Sequence, residues 1–233
     1  MNPSPILKNY QWLRDFALKK GISLFGVARL DDPESVRSNL ASLEWPSKPC
    51  YAVSLGVRLS HQVIEGIQDE PTLLYSWHYR QANIFLDRIA FEISLLIQDQ
   101  GYRVLPVPAS QIIDWERQVG HLSHKHVGVL SGHGWIGRNN LLVNPQFGAR
   151  VRYVTVLTDI PLRTDRPVEG WCGDCRACIG ACPAQALGEL PADYDFQRCF
   201  QKLKEFRKRV GHYICGVCIK ACKGGYALTN CRR

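Results

Sequence analysis

Hydrophobic positions recur at helical spacing from the start of the chain. Ile6, Leu7, Tyr10, Leu13, Phe16 and Ala17 fall on one face of a helix over residues 5–20, which Gly21 ends. Ile22 to Leu30 then predicts a strand, and Asp32-Pro33 opens a second helix that runs to Leu43. Tyr51 to Val57 is the apolar run of a buried strand. A long helix follows from Tyr75 to Gln100, with Ile84, Phe85, Ile89, Phe91, Leu95 and Leu96 as its predicted core side. Tyr102 to Val107 predicts a strand that Pro108 stops, and Arg150 to Leu157 alternates polar and apolar positions as another strand does. Residues 108–140 lose this periodicity. They carry proline, glycine, serine and the histidines His121, His124, His126 and His133, which predicts a shaped loop. Helices and strands thus interleave, and residues 1–170 predict one domain of the α/β (α+β) class.

Pro161 to Gly170 is a polar linker, and from Trp171 the pattern changes character. Nine of the ten cysteines stand beyond it, with only Cys50 outside. The run Cys172-x2-Cys175-x2-Cys178-x3-Cys182-Pro183 has the spacing of bacterial ferredoxins. In that spacing three thiolates grip one 4Fe–4S cube and the fourth cysteine serves the other cube. A second set is present in Cys199 and Cys215-x2-Cys218-x3-Cys222. Crossing then assigns Cys172, Cys175, Cys178 and Cys222 to one cluster, and Cys182, Cys199, Cys215 and Cys218 to the other. Paired C-x2-C is also zinc-ribbon spacing, but zinc closes one tetrahedron with two separated pairs, and three cysteines at x2-x2 spacing before a proline favour clusters. Cys50 and Cys231 are left over, as a buried apolar residue and a tail thiol. Residues 171–233 therefore predict a ferredoxin-like module with two 4Fe–4S clusters. No internal repeat is expected.

Composition adds two expectations. The formal net charge of +8 suggests a nucleic-acid surface. Each cluster on four thiolates carries about −2, however, which leaves about +4, much of it in Lys202, Lys204, Arg207, Lys208 and Arg209. No run of about 18 apolar residues predicts a membrane span, and Met1 to Pro5 has the form of neither a signal peptide nor a twin-arginine signal. A cytoplasmic protein without a membrane partner is expected.

Gly132-His-Gly134-Trp-Ile-Gly137 spells the dinucleotide fingerprint G-x-G-x-x-G, yet Asn144-Pro145 leaves no room for the long helix such a site needs. The stretch Gly134-Trp135-Ile136-Gly137-Arg138-Asn139-Asn140-Leu141-Leu142 instead resembles a segment of epoxyqueuosine reductases, relatives of the reductive dehalogenases. The resemblance continues through Leu157-Thr158-Asp159-Ile160-Pro161-Leu162 and both cysteine sets, and is looser around Tyr79. It implies a nitroreductase-like domain holding cobalamin base-off, reduced through the two clusters. Base-off binding agrees with the lack of a D-x-H-x-x-G signature. Cofactor contacts implied are Ser110, Lys125, Gly134, Trp135, Ile136, Gly137, Arg138, Asn139 and Asn140, the glycines because a flat macrocycle needs close backbone approach.

Two departures shape the functional expectation. The family places a proton-donating aspartate after the strand here ending at Val107, where this chain reads Pro108-Ala109-Ser110, with Asp114 out of register. Tyr79 and His124 are the substitute proton donors. The family's tRNA platform lies in an extension beyond Cys222, so tRNA is not expected as a partner. The expectation is a cobalamin-dependent reductase of a small-molecule substrate, fed by an external donor such as ferredoxin or flavodoxin. The alternative is an electron-transfer protein that reactivates a partner corrinoid protein.

Overall fold

The computed structural model describes residues 4–30 and 51–225. The helix predicted from Asp32 to Leu43, and Cys50 and Cys231, lie outside the described residues. In chain order the elements are α1 (Pro5–Lys19), β1 (Leu24–Arg29), β2 (Tyr51–Arg58), α2 (His61–Glu65), α3 (Leu73–Asp99), β3 (Val104–Val107), α4 (His124–Leu130), β4 (Trp135–Ile136), β5 (Leu142–Val143), β6 (Val151–Thr158), α5 (Ala177–Ala181), α6 (Phe196–Val210) and α7 (Val217–Ala221).

These elements contribute to two compact units. The first comprises Met1–Val57, Asn83–His133 and Arg152–Val168; the second comprises Arg58–Ala82, Gly134–Val151 and Glu169–Arg233. The expected single cut at residue 170 is not how the chain divides. Segments 58–82 and 134–151 group with the cysteine-bearing segment because buried polar contacts tie them to it. The Ser76 hydroxyl donates to the Val210 carbonyl at 2.9 Å, and buried Arg150 donates to the Lys220 carbonyl and to Glu65.

The first unit is built on a sheet of order β1-β2-β6-β3, with β1 antiparallel to β2 and β3 antiparallel to β6. Strand side chains alternate between faces, and the alternation sorts two cores. Val27, Val53, Leu55, Val154 and Val156 meet Tyr10, Leu13 and Ala17 of α1 and Leu86, Ile89, Ile93 and Ile97 of α3. Ala28, Ala52, Val107 and Leu157 face the other way, toward Leu122 and Val127. The segment expected as loop therefore includes a helix, α4, because Val127 closes that second core. The predicted core side of α3 also needs correction. Ile84, Phe91 and Leu95 are 59%, 59% and 46% exposed, whereas Leu86, Ile89, Ala90, Ile93 and Ile97 are buried. Apolar residues also stand outside the buried stripe, at Ile84, Phe91 and Leu95, so helical spacing is satisfied by more than one set of positions, and only packing decides between them.

Asp165 ties α1 to β1. Its carboxylate accepts from the Tyr10 hydroxyl at 3.0 Å and from the Val27 amide at 2.9 Å, and pairs with Arg163 at 2.6 Å. Removing it leaves the Val27 N–H without that acceptor in a partly buried place, so Asp165→Ala should destabilise the fold by about 2 kcal/mol. Denaturant unfolding of the variant beside wild type measures this, and an unchanged midpoint would show the carboxylate to be dispensable.

Candidate metal centre

The cysteines of the second unit sit on a local repeat. Cys175-Arg-Ala-Cys178-Ile-Gly-Ala-Cys182 and Cys215-Gly-Val-Cys218-Ile-Lys-Ala-Cys222 share Cys-x-x-Cys-Ile-x-Ala-Cys. Each copy folds as a five-residue helix, α5 or α7, that starts two residues after the first cysteine and carries the second. Each ends with the third cysteine as an extended C-cap, ψ 112° at Cys182 and 91° at Cys222. The expectation of no internal repeat is thereby corrected. Period detection fails on two eight-residue copies, but their residue-by-residue match was readable.

The extended caps send the last cysteine of each copy away from its own helix. Cys222 joins Cys172, Cys175 and Cys178, and these four line one small cavity with Arg138, Asn139, Val143 and Ala221. Burial pushes the Cys178 thiol up to about 11, with Cys222, Cys172 and Cys175 as the neighbouring charges that add to it. The other four cysteines form a second group. Burial raises Cys218 well above the ordinary thiol value, and Cys215, Cys199 and Cys182, followed by Cys178, are the thiols that add to it. Cys215 is pushed up to about 11 by burial, opposed by the Val217 N–H and by Lys202. The Tyr194 hydroxyl hydrogen-bonds Cys199, and the Ala186 amide donates to Cys182 Sγ at 3.4 Å. Tyr194 was not singled out from the sequence, where a lone tyrosine between helices carries no signal. Among the described residues no three His, Cys, Asp or Glu side chains are arranged to hold a single metal ion.

Arg138 braces the first group rather than pointing outward. It is buried, donates from Nε to the Glu189 carbonyl at 2.9 Å, and donates from Nη1 to the carbonyls of Gly173 and Cys175 at 2.8 and 3.1 Å. Its guanidinium lies 4.9 Å from the Trp171 ring centre. Asn139 accepts the Leu141 N–H through Oδ1 at 3.2 Å, and its buried Nδ2 has no partner. Gly134 and Gly137 have an internal reason to be glycine. A Cβ on Gly134 (φ +147°) would overlap the Val143 carbonyl, and one on Gly137 would lie 2.5 Å from Val143 Cγ2 and 3.3 Å from Cys172 Sγ. Neither is a cradle that a macrocycle could fill. Trp135 is buried and Ile136 half-buried in the β4–β5 hairpin, and Asn140 holds the turn at φ 54°.

Tyr79 lies half-buried on α3 of the second unit, its ring 6.4 Å from that of Tyr75. Ser110, His124 and Lys125 belong to the first unit, Ser110 exposed in a turn and Lys125 half-buried on α4. His124 Nε2 lies 2.9 Å from the Pro108 carbonyl, which can only accept, so Nε2 carries the proton and Nδ1 accepts from the Thr155 hydroxyl at 2.8 Å. Burial lowers its pKa to about 4, opposed by the Pro108 bond. His133 is likewise lowered to about 4 by burial, stacks on Tyr153 at 5.6 Å, and donates to the Ser54 carbonyl at 3.2 Å. His126 meets the Ser123 hydroxyl at 2.6 Å. Three of the four loop histidines thus hold the first unit together.

No protein-family model matches the chain. It is 34% identical to the epoxyqueuosine reductase of Bacillus cereus over 116 residues, 44% of this chain and 30% of that protein. The epoxyqueuosine reductase of Synechococcus sp. is 30% identical over 165 residues, 64% of this chain and 47% of that protein. The chain thus spans less than half the length of these relatives. A solved reductive dehalogenase, described with a mechanism for B12-dependent dehalogenation, superposes with a TM-score of 0.76 at 21% identity, over 95% of this chain and 32% of that one. An epoxyqueuosine reductase solved with an epoxyqueuosine-modified tRNA-Tyr stem loop gives a TM-score of 0.59 at 20% identity, over 91% of this chain and 64% of that one. Over the matched residues the chain is a homologue of epoxyqueuosine reductases, and it shares the mixed α/β fold of both groups of structures. The expectation that tRNA is no partner is overturned: the relatives are epoxyqueuosine reductases, and a structure of this fold holds a modified tRNA stem loop. No helix among the described residues is long and apolar enough to cross a membrane.

The buried histidines set a pH dependence. A folded-state pKa below the unfolded value of 6.5 means that the fold excludes a proton the unfolded chain accepts. Stability from His133 is complete above pH 6.5 and is lost as pH falls toward 4, on the order of 3 kcal/mol in full. His133→Gln keeps an N–H for the Ser54 carbonyl but cannot titrate. Unfolding free energies at pH 7 and pH 4.5 should therefore fall less in this variant than in wild type; equal losses would contradict a neutral buried His133.

Proposed function

We propose that the chain is a reductase core with two 4Fe–4S clusters, related to epoxyqueuosine reductase and passing electrons to a corrinoid that reduces the substrate. Cys172, Cys175, Cys178 and Cys222 would hold one cluster, and Cys182, Cys199, Cys215 and Cys218 the other. The observation that supports this is the gathering of eight thiols into two groups, each drawing cysteines from both copies of the repeat. All-thiol groups around a space suit cubes, whereas zinc draws four ligands to about 2.3 Å from one point. The donor chemistry agrees: Tyr194 O–H, Ala186 N–H and Val217 N–H all point at thiols, as groups that stabilise thiolate charge do.

Each cluster supplies one-electron transfer at a potential set by its surroundings. The chain's own contribution is to hold the thiols, exclude water and give hydrogen bonds. Arg138 fixes the Gly173–Cys175 loop through its two carbonyls, which orients Cys172 and Cys175 about the cavity. The corrinoid is supported by likeness to a B12-dependent dehalogenase. Gly134 and Gly137 do not fit the role of its backbone seat. For the proton, the single ring proton of His124 is committed to the Pro108 carbonyl, which counts against it as the donor. The substrate to test first is epoxyqueuosine on a tRNA stem loop, the ligand of a structural relative.

Electron delivery to a partner corrinoid protein is the second reading. It is favoured by the acid-free Pro108–Ser110 loop, pinned by His124, by Arg152 at the Ala109 carbonyl, and by Asp87 at the Ala109 amide.

Anaerobic analysis should give about eight iron and eight sulfide per chain. Zinc without sulfide would overturn the reading. Cys182→Ser should damage the cluster of Cys199, Cys215 and Cys218 and spare that of Cys172; the reverse would overturn the crossing. Cobalamin titration should give tight binding with a base-off spectrum, and absence of binding at micromolar concentration would leave electron delivery as the function.

A further inference from the structure

We propose that Asn139 Nδ2–H donates a hydrogen bond to a sulfur of the cluster held by Cys172, Cys175, Cys178 and Cys222, and thereby raises that cluster's reduction potential. The inference rests on the two-cluster reading and adds a residue that tunes one cluster and not the other.

Asn139 is 4% exposed and lines the cavity of that thiol group. The orientation of its amide is fixed by chemistry. The Leu141 N–H can only donate, so the atom it meets at 3.2 Å is Oδ1, and Nδ2 is the atom left over. Nδ2 is buried and has no acceptor in the protein. A buried unpaired amide N–H costs about 1–3 kcal/mol, and native proteins seldom leave one. The lining of this cavity is thiol sulfur, aliphatic carbon, the donor-only Arg138 and Asn139 itself. Among the side chains that line it, sulfur is therefore the acceptor chemistry besides the Asn139 oxygen itself. Backbone restraint keeps the amide in place: Gly137 presents no Cβ, and an added one would lie 3.1 Å from Asn139 Oδ1. Asn140 at φ 54° closes the turn by donating its N–H to the Gly137 carbonyl at 2.8 Å.

The sign follows from charge. Reduction adds an electron to the cluster, so sulfur becomes a better acceptor and a donor stabilises the reduced state more than the oxidised one. Tyr194, at Cys199, gives the other cluster its own donor, which provides a control in the same molecule.

The test is an anaerobic potentiometric titration of the reconstituted full chain, followed by EPR with the two clusters resolved. Asn139→Asp keeps an Oδ for Leu141 but brings a charge of its own, so the neutral Asn139→Ala, which also removes the N–H, is the variant that decides. It should lower the midpoint of the Cys172 cluster by at least about tenfold in its reduction equilibrium, about 59 mV for one electron, and leave the other midpoint in place. Tyr194→Phe should move only the other one. Should Asn139→Ala not assemble the cluster, wild-type protein labelled with ¹⁵N in asparagine side chains decides by pulsed EPR, where a nitrogen coupling to the reduced Cys172 cluster is expected. An assembled variant with unchanged midpoints, or a wild-type cluster without such a coupling, overturns the proposal. Chains that contain no iron–sulfur cluster at all overturn the two-cluster reading instead.

Discussion

The second unit is organised by the difficulty of collecting thiolates. Burial disfavours a thiolate's charge and neighbouring thiolates repel one another, which is why Cys178, Cys199, Cys215 and Cys218 are all held above the ordinary thiol range. Only a positive core and surrounding N–H and O–H donors make such a group favourable. The backbone must then bring loops from distant parts of the sequence very close together. Gly148 and Gly224 each stand where a Cβ would meet the other's loop, Gly148 against the Cys222 backbone and Gly224 against Gln146. Gly170 leaves room for the Trp135 ring, and Gly216, at φ +87°, leaves room for Tyr75 and Ile67. Segments 58–82 and 134–151 belong with the cysteine segment for this reason: they are the walls against which the thiol loops are pressed.

The repeat explains how one short segment serves two groups. Each five-residue helix carries one cysteine and begins two residues after another, and an extended cap carries the third away from it. Across the contact of α5 with α7, each copy places its third cysteine with the other copy's first two. Arg138 and Lys202 then divide the local cationic work, the first as a buried brace on the Cys172 loop, the second as a charge beside Cys215.

What was legible in the sequence follows the same physics. Cysteine spacing was readable because ligand geometry fixes it to the residue. Strands β2 and β6 and helix α1 were readable because their periodicity has one solution. The core side of α3 was not, since Ile84 and Phe91 satisfy helical spacing as well as Leu86 and Ile93 do, and only the sheet selects between them. Helix α4 was hidden by its histidines, which look like pocket chemistry and turn out to be hydrogen-bonded struts. The glycines of Gly132-x-Gly134-x-x-Gly137 were denied to a dinucleotide for want of a long helix after them, and Gly134 and Gly137 were assigned to a macrocycle. Their reason was still misread, because close approach to the protein's own backbone leaves the same trace in a sequence as close approach to a ligand. Gly132 avoids the Arg166 carbonyl, Gly134 the Val143 carbonyl, and Gly137 the Val143 side chain and Cys172 Sγ.

This ambiguity separates what the two cofactor readings rest on. A cluster demands ligands that are covalently bound and chemically rare, so eight cysteines in two spatial groups speak for it directly. A corrinoid is held mainly by backbone and by ordinary polar side chains, each of which has a competing structural use. In this chain the competing uses are visible at Gly134, Gly137, Arg138 and His124. The cluster side of the proposed function therefore rests on the residues themselves. The corrinoid side of the proposal rests on likeness to a reductive dehalogenase described with a B12-dependent mechanism, and cobalamin binding in solution is what tests it.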